Sequence, residues 1–144
     1  MGADTEIPAL VQAYVDAWNQ HDADKFAAVF SEDADVTNAQ GQTLHGRAAV
    51  HDQHKKMFQG RFRSTHRTAD APRLRVLASD LVAVDVPMRL AGLTGPDGSA
   101  RPDRPVLAVW IAQHGPNGWS IVVAHESNLP SPQPGATAPA PESA

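Results

Sequence analysis

Cysteine is absent from this chain of 144 residues, which excludes disulfides, thiolate metal sites and cysteine nucleophiles. No apolar run approaches the length of a membrane span. The N-terminal "MGADTEIPAL" carries acidic residues where a signal peptide has a basic region followed by an apolar one, so a soluble, cytoplasmic protein without a membrane partner is expected. Missing too are a phosphate-binding glycine loop, a dinucleotide fingerprint and a Ser-His-Asp arrangement. The net charge of -4 is spread along the chain and predicts solubility, with no nucleic-acid partner. The densest basic stretch, Arg61 to Arg75, holds five arginines among strand-like residues and reads as a solvated strand face.

What is present has the size of one domain. From Leu129 onward, "LPSPQPGATAPAPESA" carries five prolines and no aromatic residue, too little apolar surface to offset the entropy of ordering. A folded domain over residues 5–128 and a disordered tail over 129–144 are expected.

Ile7, Leu10, Val11, Tyr14 and Trp18 recur at helical spacing, with Asp4 or Thr5 as N-cap and Pro8 in the first turn. After "NQHD", Asp22 caps a second helix over residues 23–31 that turns Phe26, Val29 and Phe30 to the same core. A brief strand, 34–38, turns through "AQGQ" into 43–45, and a third helix follows over 47–59. The period then changes to two, giving strands at about 63–78, 80–93, 105–114 and 119–128. Helices followed by a long antiparallel meander predict an α+β fold, a curved sheet wrapped around the three helices as an open cone.

The run "AYVDAWNQHDADKFAAVFSEDADVTNAQGQTLHGRAAV" resembles the N-terminal half of the NTF2-like superfamily, the α+β cone fold of ketosteroid isomerase, scytalone dehydratase and SnoaL-type polyketide cyclases. Within it "AWNQHDAD", "SEDADV" and "GRAAV", with the closing "AHESN", resemble the SgcJ/EcaC-type group, some of whose members belong to enediyne antibiotic clusters. The resemblance implies a cone cavity that holds a hydrophobic, polyketide-type molecule. Isomerase-like members place an Asp base where this chain has Asn38 in "DVTNAQG", and an amide cannot take up a proton at neutral pH. Asn38 is therefore a candidate for orienting a ligand, not for proton transfer.

Two histidines are the candidate acid/base groups. His54 lies on the apolar stripe of the third helix with Val50, Met57 and Phe58, either as a satisfied core residue or as part of a cavity wall. In the last strand, "WSIVVAHESN", strict alternation sets Trp119, Ile121, Val123 and His125 on one face and Val122, Ala124, Glu126 and Asn128 on the other. His125 is the first candidate there, because an imidazole exchanges a proton near neutrality; the alternative is that His125 and Asn128 only cap the sheet edge. The candidate ligand-binding residues are Trp18, Phe30, Asn38, Phe58, Phe62, Trp110 and Asn128. The motif "WNQHD" is assigned to structure. His51 and His54 stand three apart, but no third ligand follows at a recognised spacing, so no metal is expected, and no cofactor.

Strand 105–114 is apolar on both faces, which predicts a homodimer through the outer face of the sheet, as in many relatives. Three functions stay open at this point. The chain binds a polyketide-type molecule in secondary metabolism, or acts on one as a cofactor-free cyclase, isomerase or dehydratase, or serves as a dimeric scaffold for a biosynthetic enzyme.

Overall fold

The computed structural model describes residues 2–130, so the tail expected over 129–144 lies almost wholly outside the described residues. The elements are α1 (Ala3–Asn19), α2 (Ala23–Ala28), β1 (Phe30–Thr37), β2 (Thr43–His45), α3 (Arg47–Gln59), β3 (His66–Ala69), β4 (Arg73–Ala78), β5 (Leu81–Ala91), β6 (Arg104–Gly115) and β7 (Gly118–Asn128). The sheet runs β2-β1-β7-β6-β5-β3, with β4 also on β5. All pairings are antiparallel except β1 with β7. This is the expected α+β cone, its curved sheet left unclosed around the helices.

The stripe of α1 is buried as its spacing requires: Ile7, Leu10, Val11, Tyr14 and Trp18 all lie in the core. The helix starts earlier than expected, with Gly2 at the N-cap and Thr5 inside the first turn, its Oγ1 donating back to the Gly2 carbonyl. Helix α2 is shorter than the hydrophobic pattern suggested. Phe30 leaves it to pair with Ile121, whose N–H bonds the Val29 carbonyl at 2.9 Å, so sheet pairing takes over where the helical stripe would have continued.

The strand expected over 63–78 is two strands on one partner. Phe62 to Thr65 form turns, β3 pairs with Met88 to Ala91, and β4 pairs with Leu81 to Asp85. Between them Asp70 bonds the Pro87 carbonyl and Pro72, which has no N–H to offer a ladder, carries the crossing. At the end of β5, Gly92 has φ +80° and passes so close to Ser64 that an added Cβ would lie 2.3 Å from its carbonyl oxygen.

Alternation holds in β5 and β6. Val82, Val84, Val86, Met88 and Leu90, with Val106, Ala108, Trp110 and Ala112, are buried on the inner face beneath the helices. In β7 it fails. The register with β6 pairs Ala112 with Ile121 and Ile111 with Val123, which leaves Val122 as an extra residue in a β-bulge. Strict alternation had set Ala124, Glu126 and Asn128 opposite Ile121. The bulge reverses the parity beyond it, so Ile121, Ala124, Glu126 and Asn128 share the inner face and Val123 and His125 the outer one.

Candidate functional site

A cavity of about 710 Å³ opens inside the cone. Trp18, Phe30, Phe62 and Trp110 supply aromatic wall, and Trp18 and Trp110 are fully buried. A polar cluster built from three elements interrupts it. Tyr14 comes from α1, Arg67 from β3 and Glu126 from β7, and His54 of α3 stands beside them.

Arg67 corrects the reading of the basic stretch as a solvated face. It is 3% exposed, and its guanidinium forks onto Glu126, Nη1 to Oε1 at 2.5 Å and Nη2 to Oε2 at 3.1 Å. The two residues sit on β3 and β7 with β5 and β6 between them, so only the curvature of the sheet lets them meet. The guanidinium also lies 4.0 Å from the Trp18 ring centre and 5.7 Å from that of Tyr14. Its Nε is buried without a hydrogen-bond partner among the described residues.

The strand that carries Arg67 is held by the "WNQHD" motif. Arg67 N–H donates to Asn19 Oδ1 at 2.7 Å and Asn19 Nδ2 returns a bond to the Arg67 carbonyl at 2.9 Å. His21 Nε2 donates to the Thr65 carbonyl, and Trp18 Nε1 to Thr65 Oγ1. Asp22 caps α2 by accepting from Lys25 N–H. The structural assignment of this motif thus acquires a purpose, since the turn between the helices sets the position of a charged group in the cavity.

Burial decides the protonation of the neighbours. Desolvation pushes Tyr14 up to about 12, opposed by Arg67 and reinforced by Glu126. Desolvation also lowers His54 to about 4, against the bond between its Nδ1 and the Val50 carbonyl at 2.7 Å. A carbonyl only accepts, so Nδ1 carries the proton and Nε2 of the neutral ring is an acceptor. For Arg67, burial opposes the charge, and Tyr14 and Glu126 outweigh it to hold the guanidinium above the usual arginine range.

The residues proposed from the sequence are distributed as follows. Trp18, Phe30, Phe62 and Trp110 line the cavity, as does His54, which is 7% exposed and stacked 4.3 Å from Phe26. Phe58 lies behind the wall, edge-on to Trp18 at 5.1 Å. Asn38 is at the rim with its amide engaged in the β1–β2 turn, Oδ1 accepting from Gln40 and Gln42 N–H and Nδ2 donating to Gln42 Oε1. Asn128 ends β7 on the inner face opposite Val106. His125 also belongs to the lining, but it is exposed and stands opposite Val109 on the outer face. His51 is outside the cavity between Asp24 and Asp52, at 2.6 and 3.0 Å.

Tyr14, Arg67 and Glu126 were not among the site residues the sequence suggested. Tyr14 is the sole tyrosine but sat unremarked on the α1 stripe. Arg67 shares its strand face with Ala69, a faint sign of inward orientation, and Glu126 ranks behind His125 in the sequence because a carboxyl needs burial to act as an acid, a burial that the bulge supplies.

The fold and site together define a cone-shaped domain with an aromatic cavity and a buried polar cluster. The sequence matches the SnoaL-like domain over residues 11–115, and the chain belongs to that family. A domain of unknown function with a cystatin-like fold from Nostoc punctiforme is similar at 27% identity and TM-score 0.79, over 91% of this chain and 80% of that one. Two other solved structures share the fold. A type 2 hexachlorocyclohexane dehydrochlorinase (LinA) has 14% identity and TM-score 0.80, over 96% of this chain and 94% of its own. A ketosteroid isomerase-like protein from Erwinia carotovora atroseptica has 13% identity and TM-score 0.75, over 90% and 98%. No curated protein matches the chain in sequence.

Proposed function

We propose that the protein binds a flat, largely hydrophobic, polyketide-type molecule in its cone cavity and acts in secondary metabolism, on an enediyne precursor if the SgcJ/EcaC resemblance extends to function. The observation that carries the reading is the Arg67–Glu126 pair inside an aromatic cavity, with a buried Nε–H that lacks an acceptor. Beside that pair Tyr14 and the neutral His54 offer one donor and one acceptor for ligand hydroxyls. Dihydroxyanthraquinone tests this. It should raise the melting temperature by mass action and quench the fluorescence of Trp18 and Trp110. Unchanged melting and fluorescence across a panel of such ketones would remove the proposal.

A catalytic version is favoured by one further observation: Glu126 is the only carboxylate among the lining residues. In it Glu126 moves a proton while the Arg67 guanidinium stabilises a developing enolate, in a cyclisation, isomerisation or dehydration without cofactor. Glu126→Gln should then retain anthraquinone binding and lose turnover.

The reading includes a homodimer through the outer face of the sheet. Val109 there is 37% exposed beside Leu107, Ile111 and Val123, and Arg73 and Asp85 stand on the same face without an ion-pair partner among the described residues. Light scattering should give a dimer mass that falls to the monomer in Val109→Lys; a monomer in the unaltered protein would exclude the dimer.

A further inference from the structure

We infer that the mouth of the cavity continues into a second chamber that binds an anionic group, a carboxylate, at one end of the ligand. The inference rests on the cavity being the binding site and names the class of molecule it takes.

The second chamber, about 390 Å³, lies between Arg61 and the segment joining β5 to β6, and it shares Arg61, Arg104 and Asn128 with the main cavity. Arg61, Arg101 and Arg104 face a single carboxylate there, Asp103. Among the described residues none of the three guanidiniums forms an ion pair. The chain has a net charge of -4, so this is not one part of a generally basic surface. Four of its nine arginines line the two joined chambers, and the only one that is neutralised is Arg67, by Glu126. Positive charge gathered in a concave site on an acidic protein focuses its field on an incoming anion.

The chamber is also a built structure. Its segment is tied by Gly95 N–H to the Ser99 carbonyl and Arg101 N–H to the Leu93 carbonyl, both at 2.8 Å, and by a bridge between Thr94 and Ala100. Asp97 fastens the turn by accepting from Ser99 N–H and Oγ. The Arg101 guanidinium lies directly on Gly95, where a Cβ would meet Nε and Nη2 at 2.6 Å. A side chain at this position would displace the guanidinium from its place. Planar guanidiniums bind a carboxylate through paired hydrogen bonds, which an ammonium cannot reproduce. Aromatic body in the cone and carboxylate at the arginines is the division of the ligand that follows.

Calorimetric titration with naphthylbutanoate and its neutral analogue naphthylbutanamide tests this, on the full chain and on the Arg101→Gln/Arg104→Gln variant. The acid should bind the unaltered protein at least about tenfold more tightly than the amide, and the ratio of the two affinities should fall to within about twofold in the variant. Equal affinities in the unaltered protein would overturn the anion chamber and leave the cavity proposal standing. A preference that survives in the variant would also overturn it, since the charge read would then lie elsewhere. If neither compound bound, the cavity proposal would fall and this one with it.

Discussion

Two arginine–carboxylate couples occupy opposite faces of one sheet and behave differently. On the inner face Arg67 and Glu126 come from strands with two others between them and meet in a bidentate pair under Trp18 and Tyr14. On the outer face Arg73 and Asp85 are direct neighbours in the register of β4 and β5, yet they form no ion pair. In the single chain water reaches the outer charges, so proximity gains little. Inside the cone a charge without a partner costs several kcal/mol, and the geometry is forced. Sequence neighbourhood therefore says little about which charges matter; enclosure says more.

The contrast can be broken from the inside first. Glu126→Leu leaves the Arg67 guanidinium buried without a counter-charge and should lower stability by about 3–5 kcal/mol in urea unfolding, while Arg67→Met/Glu126→Leu should recover most of that loss. An equal loss in the double variant would show that packing, not charge, is what the pair supplies.

The acid response of His54 comes next. Its folded value, lowered to about 4, lies below the unfolded 6.5, so the unfolded chain takes up the proton first as pH falls. The stability is intact above pH 6.5 and lost progressively down to about pH 4. The full shift corresponds to about 3 kcal/mol. His54→Phe should flatten the stability profile across that window, and an unchanged profile would assign the acid sensitivity to another group.

Loosening the support of Arg67 is a smaller change. Asn19→Ala removes the two bonds that hold the Arg67 backbone and should cost about 1–3 kcal/mol, with a weaker response to dihydroxyanthraquinone as β3 shifts. Smallest is the outer couple, where Arg73→Ala in monomeric Val109→Lys protein should change stability by no more than about 0.5 kcal/mol. A larger loss would mean that the outer face is held by an interaction as specific as that inside.

Much of the fold was legible because it depends on local periodicity. The α1 stripe, the α3 limits and the two-residue period of β5 and β6 need only the nearest turns of chain to be specified. The site was less so. In β7 one bulged residue, Val122, moves Glu126 to the cavity side and His125 to the outside, and no propensity in "WSIVVAHESN" marks it. The bulge is set by the register with β6, the other arm of the hairpin, which the residues of β7 taken alone do not show. Arg67 was misread for a related reason: a basic residue in a basic stretch looks solvated until a carboxylate 59 residues later is brought beside it.

By itself the sequence determined the helix stripes, the strand periods and an aromatic set large enough to wall a cavity, because burying those apolar faces permits few arrangements. It also determined that no thiol chemistry takes place here. Tertiary structure alone decided which polar groups enter the cone. Curvature joins β3 to β7, the bulge chooses between Glu126 and His125, and the joining segment lays Arg101 on Gly95. The first depends on contacts between segments far apart in the chain and the other two on how a hairpin and a loop close on themselves, and the buried Arg67 is tolerated because Glu126 meets it as a counter-charge.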